Sequence, residues 1–83
     1  MHDVFFTFRS LTAAQQGRTA CYHHGITAAV VRSPMGIPSR GCGFALRVHE
    51  AAAGQVSLIL HLEQVSYERV YRLESGRAEE VAL

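Results

Sequence analysis

Arg32-Ser-Pro-Met-Gly-Ile-Pro-Ser-Arg-Gly-Cys-Gly43 decides how the rest of this chain is read. It holds both prolines of the protein, three of its seven glycines and one of its two cysteines. Apolar segments flank it, Ile26 to Val31 before and Phe44 to Val48 after. A connection that only reversed the chain between two strands would need about two to five residues. This one is longer, and Pro34 and Pro38 stiffen it by fixing φ. It carries Cys42, preceded by Arg40 and held between Gly41 and Gly43, to the mouth of the next strand. That arrangement points to a presented thiol.

On the N-terminal side, Val4 to Arg9 alternates, with Val4, Phe6 and Phe8 opposed to Phe5, Thr7 and Arg9, as a strand does. Ser10 is placed to cap a helix over Leu11 to His24, closed by Gly25. The inward stripe of that helix is Ala13, Ala14, Gly17, Ala20, Cys21 and His24. Ile26 to Arg32 reads as a second strand. After the loop, Phe44, Leu46 and Val48 alternate with Ala45, Arg47 and His49 in a third. Glu50 to about Glu63 is helical by composition, with Ala52, Val56, Ile59, Leu60 and Glu63 inward and Gly54 as its weak point. Tyr67 to Leu73 alternates as a fourth strand.

The order β-α-β, hairpin, β-α-β predicts an α+β, ferredoxin-like βαββαβ split sheet. Its antiparallel strand order would be 4-1-3-2, with two helices on one face. One domain over residues 1–74 is expected, followed by a loose polar tail over 75–83. If Val4, Phe6 and Phe8 face the helices, then Phe5, Thr7, Val31, Ala45 and Arg47 lie on the other face. A half-apolar open face invites a second subunit, so a homodimer is expected.

Composition excludes several functions. An apolar fraction of 48% fits a folded domain, and a formal charge of +1 gives no electrostatic case for nucleic acid. All eight cationic residues are arginine, which removes lysine-based covalent chemistry. The N-terminus lacks the features of a signal peptide, and no run approaches the roughly 18 apolar residues of a membrane span. Two cysteines without an export signal point to a reducing cytoplasm and no membrane partner.

Chemistry converges on Cys42. The topology puts the loop's end beside the first helix's start, near Arg9, Ser10, Leu11 and Thr12. A helix N-terminus offers N–H groups and partial positive charge. Arg9, Arg32 and Arg40 add cations, while Gly41 and Gly43 let backbone amides close on an anion. Each influence favours thiolate and lowers the pKa below the free value of about 8.5. Ser10, Ser39, Arg40, Gly41 and Gly43 therefore form the expected supporting anion or thiolate site. Cys21, about 16 Å along the helix from Ser10 at roughly 1.5 Å per residue, reads as a core filler. That separation is far beyond the roughly 7 Å a disulfide allows.

No cofactor or metal is expected. His23 and His24 point about 100° apart on their helix, and neither Cys-x-x-Cys nor His-x-x-x-His spacing occurs. The loop glycines match no phosphate-cradling pattern. No histidine is expected beside Cys42, so no hydrolase and no turnover chemistry is read here.

Pro34-Met-Gly-Ile-Pro-Ser-Arg-Gly-Cys-Gly-Phe-Ala-Leu-Arg47 resembles a family of small proteins described as putative selenium/sulfur carrier protein-like. Its shared pattern is a strand ending on Ser or Thr, a helix, Gly-Ile, a Pro-containing loop, then Ser-x-x-Cys-Gly-x-Ala-Leu-Arg. These are Thr7 to Ser10, Gly25-Ile26, Pro34 to Pro38 and Ser39 to Arg47 here, and the resemblance covers roughly residues 4 to 73. It implies a sulfur or selenium carrier loaded on Cys42, whose partners are donor and acceptor proteins. Two other readings stay open from the residues. One is an anion- or metabolite-binding regulatory module. The other is a structural subunit docking through its open sheet face.

Overall fold

The computed structural model describes residues 2–38 and 43–83 of the chain. Among the described residues the elements are β1 (Asp3–Thr7), α1 (Leu11–His23), β2 (Ala29–Arg32), β3 (Phe44–His49), α2 (Ala53–Leu62), β4 (Val70–Glu74) and β5 (Arg77–Glu80). A 3₁₀ turn at Glu50–Ala52 leads into α2.

The strands form one sheet in the order β2-β3-β1-β4-β5, with every neighbouring pair antiparallel. Taken from the other edge the order is 5-4-1-3-2. It differs from the expected 4-1-3-2 by a fifth strand, so the sheet is not the four-stranded ferredoxin-like one. The cause is a tight turn at Ser75-Gly76, with both residues at positive φ, 51° and 76°. Such a turn matches strand twist and folds the chain back on β4. Residues 75–83, expected as a loose tail, thus supply the edge strand β5.

Other boundaries move for local reasons. β1 stops at Thr7 rather than Arg9, because Thr7 is zipped to the segment before β4. Thr7 N donates to Arg69 O (2.9 Å), and Glu68 N donates to Thr7 O (2.7 Å). β2 begins at Ala29, not Ile26, since Ile26 N still closes on Cys21 O of the helix (2.9 Å). β4 begins at Val70, not Tyr67. Tyr67 packs edge-on against Phe6, ring centroids 4.9 Å apart, and its hydroxyl meets that of Ser57 at 2.7 Å.

Both helices cover one face of the sheet. Val4, Phe6 and Phe8 of the first strand segment, Leu46, Val48 and Val70 pack there against Ala14, Ala20, Cys21, Val56, Ile59 and Leu60. Gly17 lets α1 lie close. A Cβ at that position would come within 3.2 Å of the Phe8 ring and 3.3 Å of Leu60. That contact offsets the roughly 1 kcal/mol of helix propensity a glycine loses against alanine. His24, expected inward, and Glu63 instead pair at the surface, His24 Nε2 to Glu63 Oε2 at 3.3 Å. Arg72 clasps three segments, reaching Glu50 Oε2 (3.0 Å) and Glu79 Oε1 (2.7 Å). No helix among the described residues is long and apolar enough to cross a membrane.

Phe5, Val31 and Ala45 do lie on the far face, yet that face is not bare. Ile37, in the β2–β3 connection, is 5% exposed and packs with Phe5, Ala45 and Tyr71, flanked by Val31, Leu73 and Ala78. The chain's own loop therefore covers the middle of the surface that the alternation offered to a second subunit.

Candidate functional site

The register fixes where the long connection begins and ends. Arg32 pairs with Phe44, and Thr7 with Ala45, so β3 starts where β1 finishes and α1 is about to begin. Ser33 N donates to Gly43 O at 2.9 Å, closing the base of the loop. Gly43 has φ 74°, a conformation that glycine adopts without the Cβ penalty of other residues. Of the expected supporting residues, Gly43 and Ser10 thus stand at the same end of the sheet. Ser10 is extended (φ −146°, ψ 155°), and its Oγ accepts from Ala13 N at 3.1 Å, the N-cap role read from the sequence. Ser39, Arg40, Gly41 and Cys42 lie outside the described residues.

The first limb of the loop is held on the sheet. Ile37 N donates to Pro34 O (3.1 Å), and Gly36 has φ 95°. A Cβ on Gly36 would come 3.3 Å from Gly76 O, so the loop lies close against the β4–β5 turn. The chain then reaches Pro38, the residue before Ser39, which lines a cleft of about 310 Å³ with Thr7, Glu68, Arg69, Tyr71 and Glu80. Thr7 is buried there and satisfied. Its Oγ1 accepts from Arg69 N (3.1 Å) and donates to Arg69 O (3.3 Å). Arg69 Nη1 donates to both carboxylate oxygens of Glu80, at 2.9 and 3.2 Å. That hydrogen bond and the carboxylate's charge raise the guanidinium above its ordinary pKa.

The cleft's charge is mixed: Arg69 is opposed by Glu80 and Glu68. Its described groups therefore do not amount to an anion site. Arg9, Arg32 and Arg47 lie outside the cleft. Arg32 sits over the Phe44 ring, its guanidinium carbon 5.4 Å from the centroid, beside the base of the loop. Arg9 is exposed just after β1, and Arg47 is exposed near the other end of β3, among Asp3, Ala29 and His49.

Cys21 is fully buried on α1, and burial pushes its thiol pKa up, so it stays protonated and inert. This matches its reading as core.

Sequence reasoning missed Ile37 as a core residue of the far face, and Arg69, Tyr71 and Glu80 as neighbours of Pro38. Ile37 was the findable one, the single β-branched residue of the connection, between its two prolines. Glu80 had no signal, because its place depends on a fifth strand.

A family model described as "Putative Se/S carrier protein-like" matches residues 3–72. No curated protein and no solved structure matches the chain.

Proposed function

Because the chain belongs to the putative Se/S carrier protein-like family, we propose that it holds a sulfur or selenium atom on Cys42 and passes it between partner enzymes in the cytoplasm. The observation that carries this reading is the family match over residues 3–72, which spans the whole loop and its cysteine. The thiolate of Cys42 attacks the outer sulfur of a donor's persulfide. A new S–S bond forms, the donor's S–S bond breaks, and the donor leaves as a thiolate, so no external oxidant is consumed. The acceptor's nucleophile then takes the outer sulfur, and Cys42 departs as thiolate. A selenium load follows the same exchange.

Three features support the reading. β3 starts at the end of the sheet where Ser10 caps α1, so the loop's base and the positive end of the helix dipole share one side of the molecule. Arg32 adds a cation at that base. Met35, in the Pro34–Ile37 turn of the loop, is 95% exposed and offers an apolar contact to a protein donor or acceptor. Ser39, Arg40 and Gly41 belong to the proposed site by sequence. The chain acts as a carrier with no turnover of its own.

The test is to incubate the protein with a cysteine desulfurase and cysteine and then record its intact mass. A gain of one sulfur atom that disappears in Cys42→Ser is expected. A wild-type protein that never gains sulfur defeats the reading.

A further inference from the structure

The outer face of α2 has no explanation within the chain. Ala53, Val56, Ile59 and Leu60 are buried against the sheet, and at about 100° per residue Leu58 points to the opposite side. Leu58 is 57% and Leu62 63% exposed. With Gly54 they form one i, i+4, i+8 row, the kind of ridge along which helices pack. Gly54 lies in the first turn of α2, where glycine still gives up more conformational freedom than alanine. Unlike Gly17, it is not required by any neighbour, since a Cβ there would meet nothing within 4 Å, and its φ is not positive. Beside the ridge runs a groove of about 760 Å³, walled by Ser57, His61, Val65 and Leu83 among others.

We propose that this face pairs with the same face of a second copy of the chain, the two α2 helices running antiparallel about a two-fold axis at Leu58. The occupant follows from self-complementarity, which an isologous interface demands. Residues 54 and 62 lie equally far from residue 58, about 6 Å along the axis in either direction. An antiparallel partner therefore sets its Leu62 level with Gly54, filling the missing side chain, while Leu58 meets Leu58. Charge agrees as well. The groove's lining contains no Asp, Glu, Arg or Lys, and its one imidazole is His61. The helix dipoles oppose, each C-terminal end lying beside the other's N-terminal end. Ser57, which pairing would cover, already has Tyr67 as its hydrogen-bond partner. The sheet's far face is the poorer choice, being partly covered by Ile37.

Sedimentation equilibrium from micromolar to several hundred micromolar, under reducing conditions, tests the pairing independently of sulfur carriage. The wild type is expected to dimerise with concentration. Leu58→Glu weakens the dimer by at least about a hundredfold, because each substitution acts twice across the axis. Gly54→Leu weakens it too, although leucine is the better helix former. Tyr22→Glu, on the exposed side of α1, leaves it unchanged. In a Cys42→Ser background, Leu58→Cys oxidises to a covalent dimer and Tyr22→Cys does not. A monomer throughout the range overturns the proposal. So does a dimer indifferent to Leu58→Glu, or a monomer whose α2 face binds a helix of another protein instead.

Discussion

The sheet contains two antiparallel hairpins made in opposite ways. Between β4 and β5 the chain turns on Ser75 and Gly76 alone, both at positive φ. Between β2 and β3, where Arg32 pairs with Phe44 just as Glu74 pairs with Arg77, it uses residues 33–43. The two connections nearly touch, Gly36 lying against Gly76 O. Reversal needs only the short form, so the extra length serves something else. Part of it is spent on Ile37, which seals Phe5, Ala45 and Tyr71 from water. The rest carries Ser39 to Cys42, with Pro38 leading in on the cleft and Gly43 leading out at the start of β3.

The sharpest way to break that contrast is to make the two hairpins alike. With residues 33–43 replaced by Asn-Gly, the Arg32–Phe44 pairing can be kept and the far-UV circular dichroism should stay native. Sulfur loading should vanish, and binding of an apolar dye should rise as Phe5 and Tyr71 are uncovered. A shortened protein that still gained sulfur would place the load elsewhere. Next in size is Ile37→Ala, expected to cost about 2 kcal/mol in urea unfolding. No loss there would mean that the loop rests on the sheet without stabilising it. Gly36→Ala should cost about 1 kcal/mol, from its positive φ and the crowding against Gly76 O.

The smallest effect concerns the cysteine that the loop does not carry. Burial raises the folded pKa of Cys21. Above about pH 8.5 the unfolded thiol loses its proton while the folded one keeps it, so stability is full below that pH and falls as pH rises beyond it. Cys21→Ala should fall less steeply over that alkaline range, measured by denaturant midpoints at each pH. Parallel slopes would show that Cys21 titrates alike in both states.

What the sequence revealed follows from how local each cause is. The start of α1 was legible because Ser10 caps it within three residues, and Cys21 could be placed in the core from its stripe. The contacts of strands β1 to β4 followed from alternation and handedness. The ends of β1 and β4 did not, because Thr7, Arg69 and Tyr67 are held by bonds between residues some sixty positions apart (Thr7 with Arg69) or by a ring packed on Phe6. β5 escaped notice because Arg77-Ala-Glu-Glu80 has almost no apolar pattern, although Ser75-Gly76 was a readable turn signal. At the site, the loop and its cysteine were visible as an anomaly of length and composition. The cleft at Pro38 was not, since it requires β5 to bring Glu80 next to Arg69.

The charged rim that Arg77, Glu79 and Glu80 give the sheet has a practical side. An unguarded hydrogen-bonding border is a template for runaway strand addition, and carboxylates along it discourage another chain from stacking on. A truncation ending before Arg77 would leave Val70–Glu74, with Tyr71 and Leu73, as the outermost strand. Such a product should precipitate or form fibrils on concentration, whatever becomes of its cysteine.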